Sequence, residues 1–552
     1  MNSLKKKEYI LFFAILAVFV FLRIPGLDNL YHQDEYKWPS IVLSDNSYIP
    51  HPPVGEAIYQ NLGMVVRADN FRYIPFIFSI LNFFLLFYLA KIVFNTRAAF
   101  WSIFLFSVSF YSLLASLMVD TDGAVMPTFF LIASIAYVKL KRMNFQFSIF
   151  NFQFWLFAVG IIGGFLVKTS FIIAIGAFAL DFAIEKGIFS NRRRFFKYLL
   201  YCIGLFVLLV LTLLASKLIF PSFNLQSSIS YWEHFAKFSD RGWLQTFIQF
   251  AKSILYTSPL LIVPAFLINK EIWQKTRPFF LFIILGLLFY LFTFDFSTGA
   301  LDRYFQFLII PLCIISAAVF AGTPPLRKER GWGEVVLVLI SLAIFSLQFI
   351  NHFVPPLYPK TEWITRIIQL KWNFLFPFTG GSGPTGFYVS FLFIAIIWLC
   401  CLVFLKKRAL LPILILGILY NGVFIEEHLF GKINGSPYPL FTEVKEFIAS
   451  DKNIKKVVVY NDIGGYEIQK LGKYERRLYA APQFQKTYQD FFVNFSGHVL
   501  YIDIPRIGEN NFYSNYLSAC KSIYEKKDRY ISAKILECLP HPLPLPLQRG
   551  GK

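Results

Sequence analysis

The stretch YILFFAILAVFVFLRIPGL, from Tyr9 to Leu27, follows three lysines at positions 5–7 and is apolar almost throughout. A run of about 18 or more apolar residues is long enough to cross the ~30 Å hydrocarbon core of a bilayer as a helix. The lysines predict a cytoplasmic N-terminus, because basic residues concentrate on the cytoplasmic side of membrane spans. A cleaved signal peptide is the alternative interpretation, but no small-residue cleavage site follows the run.

Apolar runs of similar kind recur along most of the chain. They predict further spans at about 73–94, 98–118, 124–140, 155–167, 169–184, 198–219, 255–268, 279–294, 304–322, 334–350, 385–405 and 409–425. The total is about thirteen, and the short runs at 155–167 and 169–184 indicate tilted spans or a bent pair. An odd number of spans places the C-terminus outside the cytoplasm, together with the long loops 28–72, 220–254 and 351–384.

The composition agrees with a membrane protein and excludes a soluble enzyme or a disordered chain. Of the 552 residues, 56% are hydrophobic and only 16% are charged, whereas soluble proteins carry about 25% charged residues. The net charge of +20 would suggest a nucleic-acid partner in a soluble protein. Here the basic residues form short clusters between apolar runs, as expected for cytoplasmic loops, so we expect membrane lipids as partners and no nucleic acid.

The tail from about residue 426 is polar and differs in kind from the rest of the chain. Strand-like runs at 457–460 and 499–502 lie between helical patterns, which predicts a small α/β domain. The predicted fold class is therefore a polytopic α-helical membrane protein with a transmembrane module at 1–425 and an extracytoplasmic α/β domain at 426–552. Cys520 and Cys538 lie in this tail and would be able to pair outside the cytoplasm, which the sequence alone does not decide.

Two groups of polar residues follow the first span. Asp34 and Glu35 lie about seven residues after it, and His51 precedes Pro52 and Pro53. Two prolines restrict the backbone after a histidine and so favour a fixed direction for its side chain. The alternative for the two acids is a solvated loop position without a chemical role.

Further ionisable residues interrupt later apolar runs, where charges are costly and mark candidate sites. Asp120 and Asp122 occupy the short turn between 98–118 and 124–140, and Lys168 separates two apolar pieces, with glycines before it and hydroxyls after it. A cation in that setting suits an anionic group such as phosphate, and Arg303, beside Tyr304, suits a second phosphate oxygen. Interfacial solvation or anchoring is the alternative for each residue.

The predicted topology places all of these residues on the same side of the membrane. Such a region would supply cations for a phosphate leaving group and a carboxylate for an acceptor hydroxyl.

In this order and topology the chain resembles the GT-C superfamily of membrane glycosyltransferases that use polyprenyl-phosphate sugars. The nearest branch contains the protein O-mannosyltransferases, the lipid A aminoarabinose transferase and the lipopolysaccharide galacturonosyltransferase-like proteins. The resemblance covers roughly residues 9–425. It rests on Asp34-Glu35, His51-Pro52-Pro53, the turn at Asp122, the segment 164–170 with its lysine, Arg303-Tyr304 with Pro311, and the outer loop with Glu233-His234 and Arg241.

The resemblance implies a role for each motif. Asp34, in the candidate catalytic pair with Glu35, would be the general base or would orient the acceptor, and Lys168 and Arg303 would bind the donor phosphate. Some relatives have lysine where His51 stands, so His51 is a weaker candidate phosphate ligand. Acceptor-binding or site-shaping roles fall to the remaining candidates, Asp122, Asp120, Tyr304, His234 and Arg241.

The reaction implied is inverting transfer of a sugar from a polyprenyl-phosphate donor to a hydroxyl of a lipid, glycan or protein. It would take place at the outer face of the cytoplasmic membrane. No cofactor is required, and we assign no metal ligands, although Asp34, Glu35 and Asp122 would be able to hold a divalent cation.

Two other classes of function remain open. A transporter or flippase would need polar residues at the membrane midplane and two similar halves. A polysaccharide ligase or polymerase would use a lipid-linked oligosaccharide, so the size of the donor separates it from a single-sugar transferase.

Overall fold

The computed structural model of the protein describes residues 2–31, 35, 37–39, 51–145, 148, 150–220, 223–235, 241–293, 302–322, 355–356, 358, 360–378, 387–460, 464–478, 491, 494–503 and 512–540. Helices dominate the first part of the chain. They are α1 (Asn2–Phe21), α2 (Pro53–Val66), α3 (Tyr73–Val93), α4 (Thr96–Val108), α5 (Phe110–Leu117), α6 (Met126–Arg142), α7 (Phe152–Val167), α8 (Ile172–Glu185), α9 (Arg192–Ile219), α10 (Leu225–Phe235), α11 (Trp243–Tyr256), α12 (Pro259–Ala265), α13 (Lys270–Phe292) and α14 (Ile309–Gly322).

Strands appear in the later part of the chain. The elements there are α15 (Lys360–Ile368), β1 (Leu375–Phe378), β2 (Phe387–Ser390), α16 (Phe391–Lys406), α17 (Leu410–Phe430), α18 (Pro437–Ser450), β3 (Val457–Tyr460), α19 (Gly465–Lys470), β4 (Tyr474–Leu478), β5 (Gly497–Asp503), α20 (Phe512–Ala519), β6 (Lys521–Asp528) and β7 (Ile531–Cys538).

Within the described residues, seven helical segments are long and apolar enough to cross a membrane, and two bent helix pairs raise this number to nine. The predicted fold class, a many-helix membrane protein with a C-terminal α/β domain, is confirmed. The count of about thirteen spans and the side of the membrane on which the tail lies stay predictions. The predicted span at 334–350 lies outside the described residues.

The predicted straight span at 255–268 is wrong, because the helix there begins earlier and is broken. The structure has α11 followed by α12, with a bend of 93° between them. The break falls at Ser258, which has a φ of 91° and precedes Pro259, and a residue before proline is disfavoured in the helical conformation. Helix α11 therefore begins at Trp243, inside the stretch 220–254 that was predicted to be a loop.

The predicted span at 98–118 is also bent, by 69° between α4 and α5. A buried arginine near the end of the first span, Arg23, satisfies the backbone groups that this break exposes. Its guanidinium donates to the carbonyls of Ser107 and Phe106 at 3.2 and 3.4 Å. It also donates to the hydroxyls of Ser116 and Ser112 at 2.8 and 2.9 Å. Unpaired backbone groups are costly in lipid, so these bonds stabilise the bend.

The chain divides into two compact units. The first comprises Met1–Asp28, Lys37–Phe345 and Ile396–Val423, and the second comprises Asn29–Tyr36, Ser346–Ala395 and Phe424–Lys552. The predicted assignment of 1–425 and 426–552 to a transferase module and an extracytoplasmic domain stays a prediction.

The second unit contains a five-stranded sheet with the order β4-β3-β5-β7-β6. Strands β4, β3 and β5 are parallel, and β7 and β6 join antiparallel. One face packs under α18 through residues such as Val444, Val459 and Ile535. The other face packs partly under α20 through Val499, Leu517 and Leu536. A disulfide joins Cys520 to Cys538, the pairing that the sequence left open.

Candidate active site

The two acids of the turn between α5 and α6 are held by the local backbone. Asp120 is extended, and its carboxylate accepts a hydrogen bond from the amide of Thr121 at 2.6 Å. One turn of π-helix follows, from Thr121 to Val125. Gly123 allows this turn to lie against α5, because a Cβ at that position would be 2.5 Å from the carbonyl oxygen of Ala115. The turn thus presents Asp122 at the N-terminal end of α6.

Lys168 lies at the break between two apolar helices, as the sequence predicted. It follows the last residue of α7 in an extended conformation, with a φ of −157°, and a short helical turn at Thr169–Phe171 separates it from α8. Its amino group forms an ion pair with the carboxylate of Asp122. The side chains of Lys168 and Asp122 are only 10% and 4% exposed, so the pair is shielded from bulk water.

A second cation joins this pair from the segment before α14. The guanidinium Nη1 of Arg303 lies 3.9 Å from Oδ2 of Asp120, and Nη2 donates to the hydroxyl of Tyr304 at 2.8 Å. The Nζ of Lys168 lies 5.2 Å from the centroid of the Tyr304 ring, within the range of a cation–π interaction. The structure therefore brings together five predicted site residues, Asp120, Asp122, Lys168, Arg303 and Tyr304, which are distant in the sequence.

His51 lies close to the same cluster. It is 5% exposed, and its ring centroid lies 6.3 Å from that of Trp38. Burial lowers the pKa of His51 well below its ordinary value, and the charges of Lys168 and Lys37 lower it further. The imidazole is therefore neutral at pH 7, and the role of His51 as a phosphate ligand stays a prediction.

Neighbouring charges set the protonation states of Asp120 and Lys168. Burial alone would raise the pKa of Asp120, but Lys37, Lys168 and Arg303 hold that pKa below its usual range. Burial alone would lower the pKa of Lys168, but Asp122 and Asp120 raise it above its ordinary value. At neutral pH the site therefore presents an ionised Asp120 and a protonated Lys168.

Three supporting residues were missed by the sequence reasoning. Lys37 adds a positive charge near Asp120 and His51. Arg72 is 1% exposed and donates to the carbonyl of Leu117 at the end of α5. Asn82, inside the apolar helix α3, donates to the carbonyl of Ala124 at 2.8 Å and so ties the Asp122 turn to that helix. A single polar residue within an apolar run was the signal available for Asn82.

The remaining predicted residues are placed differently or fall outside the description. Asp34 lies outside the described residues. Glu35 is 2% exposed and belongs to the second unit. His234 lies in α10, and its side chain is outside the description. Arg241 donates to the carbonyls of Phe292 and Leu291 at 2.6 and 2.7 Å, and so caps the C-terminal end of α13.

A small, mostly apolar cavity is lined in part by residues that closely follow Lys168 in the sequence. Its lining includes Ser170, Phe171, Tyr290, Gln306 and Phe307. The side-chain oxygen of Gln306 is buried there without a hydrogen-bond partner among the described residues. The polar cluster therefore borders an apolar cavity, an arrangement that suits a ligand with one charged and one apolar part.

No metal centre is found among the residues that the structure describes, since no three histidine, cysteine, aspartate or glutamate side chains converge there. Asp34 lies outside those residues, so a divalent cation held by Asp34, Glu35 and Asp122 stays a prediction.

The family model for dolichyl-phosphate-mannose-protein mannosyltransferases matches residues 50–215, the part of the chain that carries His51, Asp120, Asp122 and Lys168. The fold matches solved structures of ArnT from Cupriavidus metallidurans, one in the apo state and one bound to undecaprenyl phosphate. The TM-score is 0.53 for both, at 13% identity; the match covers 96% of this chain and 98% and 97% of those chains. The chain therefore has the fold of ArnT and, over residues 50–215, is similar to the mannosyltransferase family.

The archaeal oligosaccharyltransferase AglB from Archaeoglobus fulgidus, solved with an inhibitory peptide and a dolichol-phosphate, also matches this chain. The TM-score is 0.44 at 12% identity, with 90% of this chain and 69% of that chain covered. No curated protein sequence matches significantly. The likeness to ArnT shows the fold alone.

Proposed function

We propose that this protein is a glycosyltransferase that moves a sugar from a polyprenyl-phosphate donor to an acceptor hydroxyl, with inversion at the anomeric carbon. The observation that carries the proposal is the buried cluster in which Lys168 and Arg303 lie beside Asp122 and Asp120. A shielded pair of cations suits a phosphate, because charge-assisted hydrogen bonds are strongest where water is excluded. The fold of ArnT, which has been solved with undecaprenyl phosphate, supports the same class of donor.

The donor phosphate would be bound by Lys168 and Arg303, and the first isoprene units would pack against apolar side chains beside the cavity, such as Phe171, Tyr290 and Phe307. The amino group of Lys168 is already paired with Asp122. The bound phosphate would therefore take the place of the Asp122 carboxylate or bind Lys168 together with it. His51 would contribute a neutral hydrogen-bonding group, since its pKa is lowered by burial.

Asp122 would help to hold the acceptor. Its Oδ2 bonds to Lys168, while its Oδ1 is buried without a hydrogen-bond partner among the described residues. A buried carboxylate oxygen without a donor is unfavourable. An acceptor hydroxyl would supply the missing donor.

The proposed chemical step assigns the role of the base to Asp34, which lies outside the described residues. The acceptor oxygen attacks the anomeric carbon, its proton passes to the Asp34 carboxylate, and the bond from the anomeric carbon to the phosphate oxygen breaks. Polyprenyl phosphate leaves with the electron pair of that bond. Lys168 and Arg303 stabilise the negative charge that develops on the phosphate. Glu35 would accompany Asp34, and Tyr304 would position Arg303, with which it shares a hydrogen bond of 2.8 Å.

The proposed location is the outer face of the cytoplasmic membrane, with the N-terminus in the cytoplasm. The lysines that precede the first span support this orientation. The disulfide between Cys520 and Cys538 supports an oxidising compartment for the tail.

The test is transfer by the Asp34→Asn variant in proteoliposomes that contain a polyprenyl-phosphate sugar. We expect transfer to be abolished while donor binding and membrane insertion persist, because the amide accepts no proton. Transfer at the rate of the parent protein would remove the mechanism. Consumption of the donor in detergent separates this enzyme from a transporter, which would perform no chemistry.

A further inference from the structure

One face of the C-terminal sheet carries a row of four polar or aromatic side chains on four neighbouring strands. The row consists of Tyr460 on β3, Tyr501 on β5, Lys534 on β7 and Glu525 on β6. Tyr501 lies opposite Lys534 in the β5–β7 register, and Lys534 lies opposite Glu525 in the β7–β6 register. The ring centroids of Tyr460 and Tyr501 are 5.0 Å apart.

The row is accessible, although the sheet around it is packed. Helix α18 covers the opposite face of the sheet. On the face of the row, α20 packs over Val499 and Leu536, which belong to the neighbouring row. The side chains of Lys534 and Glu525 are 25% and 34% exposed, and both tyrosines are partly buried. The described part of the domain therefore leaves this row in contact with solvent.

The row lies at the topological switch point of the sheet. The chain passes from β3 to β4 on one side of β3 and then to β5 on the other side. Tyr460 is the last residue of β3, and Tyr501 lies near the carboxyl end of β5. Ligands of open α/β sheets bind outside the carboxyl ends of the strands at such a point.

The chemistry of the row suits a saccharide. Each sugar ring has an apolar C–H face that stacks on an aromatic ring and hydroxyl edges that need donors and acceptors, and tyrosine supplies both properties. The Nζ of Lys534 lies 3.5 Å from Oε1 of Glu525, and the Nζ of Lys527 lies 3.1 Å from the same oxygen. The longer distance leaves the three donors of Lys534 with capacity for further hydrogen bonds. Four strands spaced by about 4.8 Å give the row a length of about 14 Å, which suits a short oligosaccharide.

The place of the row argues against a peptide as the occupant. An extended peptide adds to the edge of a sheet through its backbone, whereas the row consists of side chains on one face of the sheet.

We propose that this row binds a saccharide that forms part of the acceptor. The binding site itself is argued from the sheet alone. Only the statement that the saccharide belongs to the acceptor rests on the proposed transferase function. It gives the C-terminal domain the task of selecting a glycan-bearing acceptor.

The experiment measures binding of the full-length protein in lipid nanodiscs to an array of bacterial oligosaccharides. The best-bound oligosaccharide is then titrated by calorimetry. We expect Tyr501→Ala and Lys534→Gln each to weaken binding at least about tenfold, because the central contacts of an interface dominate its affinity. Tyr501→Phe, which keeps the ring, should bind more tightly than Tyr501→Ala.

Two variants of the same domain serve as controls. Tyr530→Ala changes a tyrosine that is 42% exposed, and Lys521→Gln changes an exposed lysine; both lie outside the row. Lys534→Gln replaces a partly exposed side chain and should fold as the parent does, so it tests the site even if Tyr501→Ala unfolds the domain.

Binding lost in the row variants and kept in the controls would support the site. The absence of binding to every oligosaccharide, equal binding by Lys534→Gln and the parent, or binding of a peptide instead would each overturn it. The array needs no donor and no transfer. A chain that binds the oligosaccharide but transfers no sugar would therefore remove the proposed function and leave the binding site.

Discussion

Replacing Lys168 by glutamine should weaken binding of polyprenyl phosphate, because this side chain is the buried cation nearest to Asp122. A hydrogen bond to a charged group contributes about 1.5–3 kcal/mol. Each 1.4 kcal/mol corresponds to about a tenfold change in affinity. Since the Lys168 side chain is only 10% exposed, solvent screening reduces this contribution little. We therefore expect the affinity for undecaprenyl phosphate to fall about 10- to 100-fold.

The same substitution leaves the Asp122 carboxylate buried without its cation. Removing one partner of a buried ion pair costs about 3–5 kcal/mol of stability. The single variant should therefore also unfold at a lower temperature. The double variant, with Lys168→Gln and Asp122→Asn, should recover stability, because the amide needs no cation, but it should not recover affinity. This difference separates the phosphate role of Lys168 from a purely structural one.

The assay is a titration of the purified protein in nanodiscs with undecaprenyl phosphate, together with thermal unfolding of each variant. Lys275→Gln is the matched control, because Lys275 is 43% exposed and pairs with Glu271 at 2.7 Å within one helix. This control should bind as the parent does. Unchanged affinity in Lys168→Gln, or affinity restored in the double variant, would refute the reasoning.

Three further predictions concern other parts of the chain. Arg23→Lys should lower the thermal stability nearly as much as Arg23→Leu, because lysine presents its donors at one point and does not replace the planar guanidinium; unfolding of both variants in detergent checks this, and full stability of the lysine variant would contradict it. Replacing Cys520 and Cys538 by serine should cost the C-terminal domain about 3 kcal/mol, since the bridge closes a loop across 18 residues; a denaturant titration measures this, and an unchanged midpoint would exclude a stabilising disulfide. Burial lowers the pKa of His51 below its ordinary value of 6.5, so in acid the unfolded chain binds more protons than the folded chain. The free energy of unfolding should therefore fall as the pH drops below about 6.5. The contribution of this group is at most about 1.4 kcal/mol per pH unit. The variant His51→Gln should show a shallower loss of thermal stability between about pH 7 and pH 5, and an identical slope would contradict the assignment.

The class of fold and most of the residues that meet in the polar cluster were predictable from local sequence patterns. Apolar runs of bilayer length and the change to a polar tail are local properties, so the membrane part and the α/β part were visible without coordinates. Lys168 was recognisable because a cation at an apolar break is costly and therefore informative. Asp120 and Asp122 were recognisable for the same reason.

Tertiary structure decided which of these residues meet and how the helices bend. The ion pair between Lys168 and Asp122 joins positions 46 residues apart, and no local pattern specifies such a distance. Arg23 stabilises the bend between α4 and α5, and its hydrogen-bond partners in those two helices lie 83–93 residues further along the chain. Likewise, the saccharide-sized row on the sheet exists only through strand order and register, because Tyr460, Tyr501, Lys534 and Glu525 become neighbours when four separate strands pair.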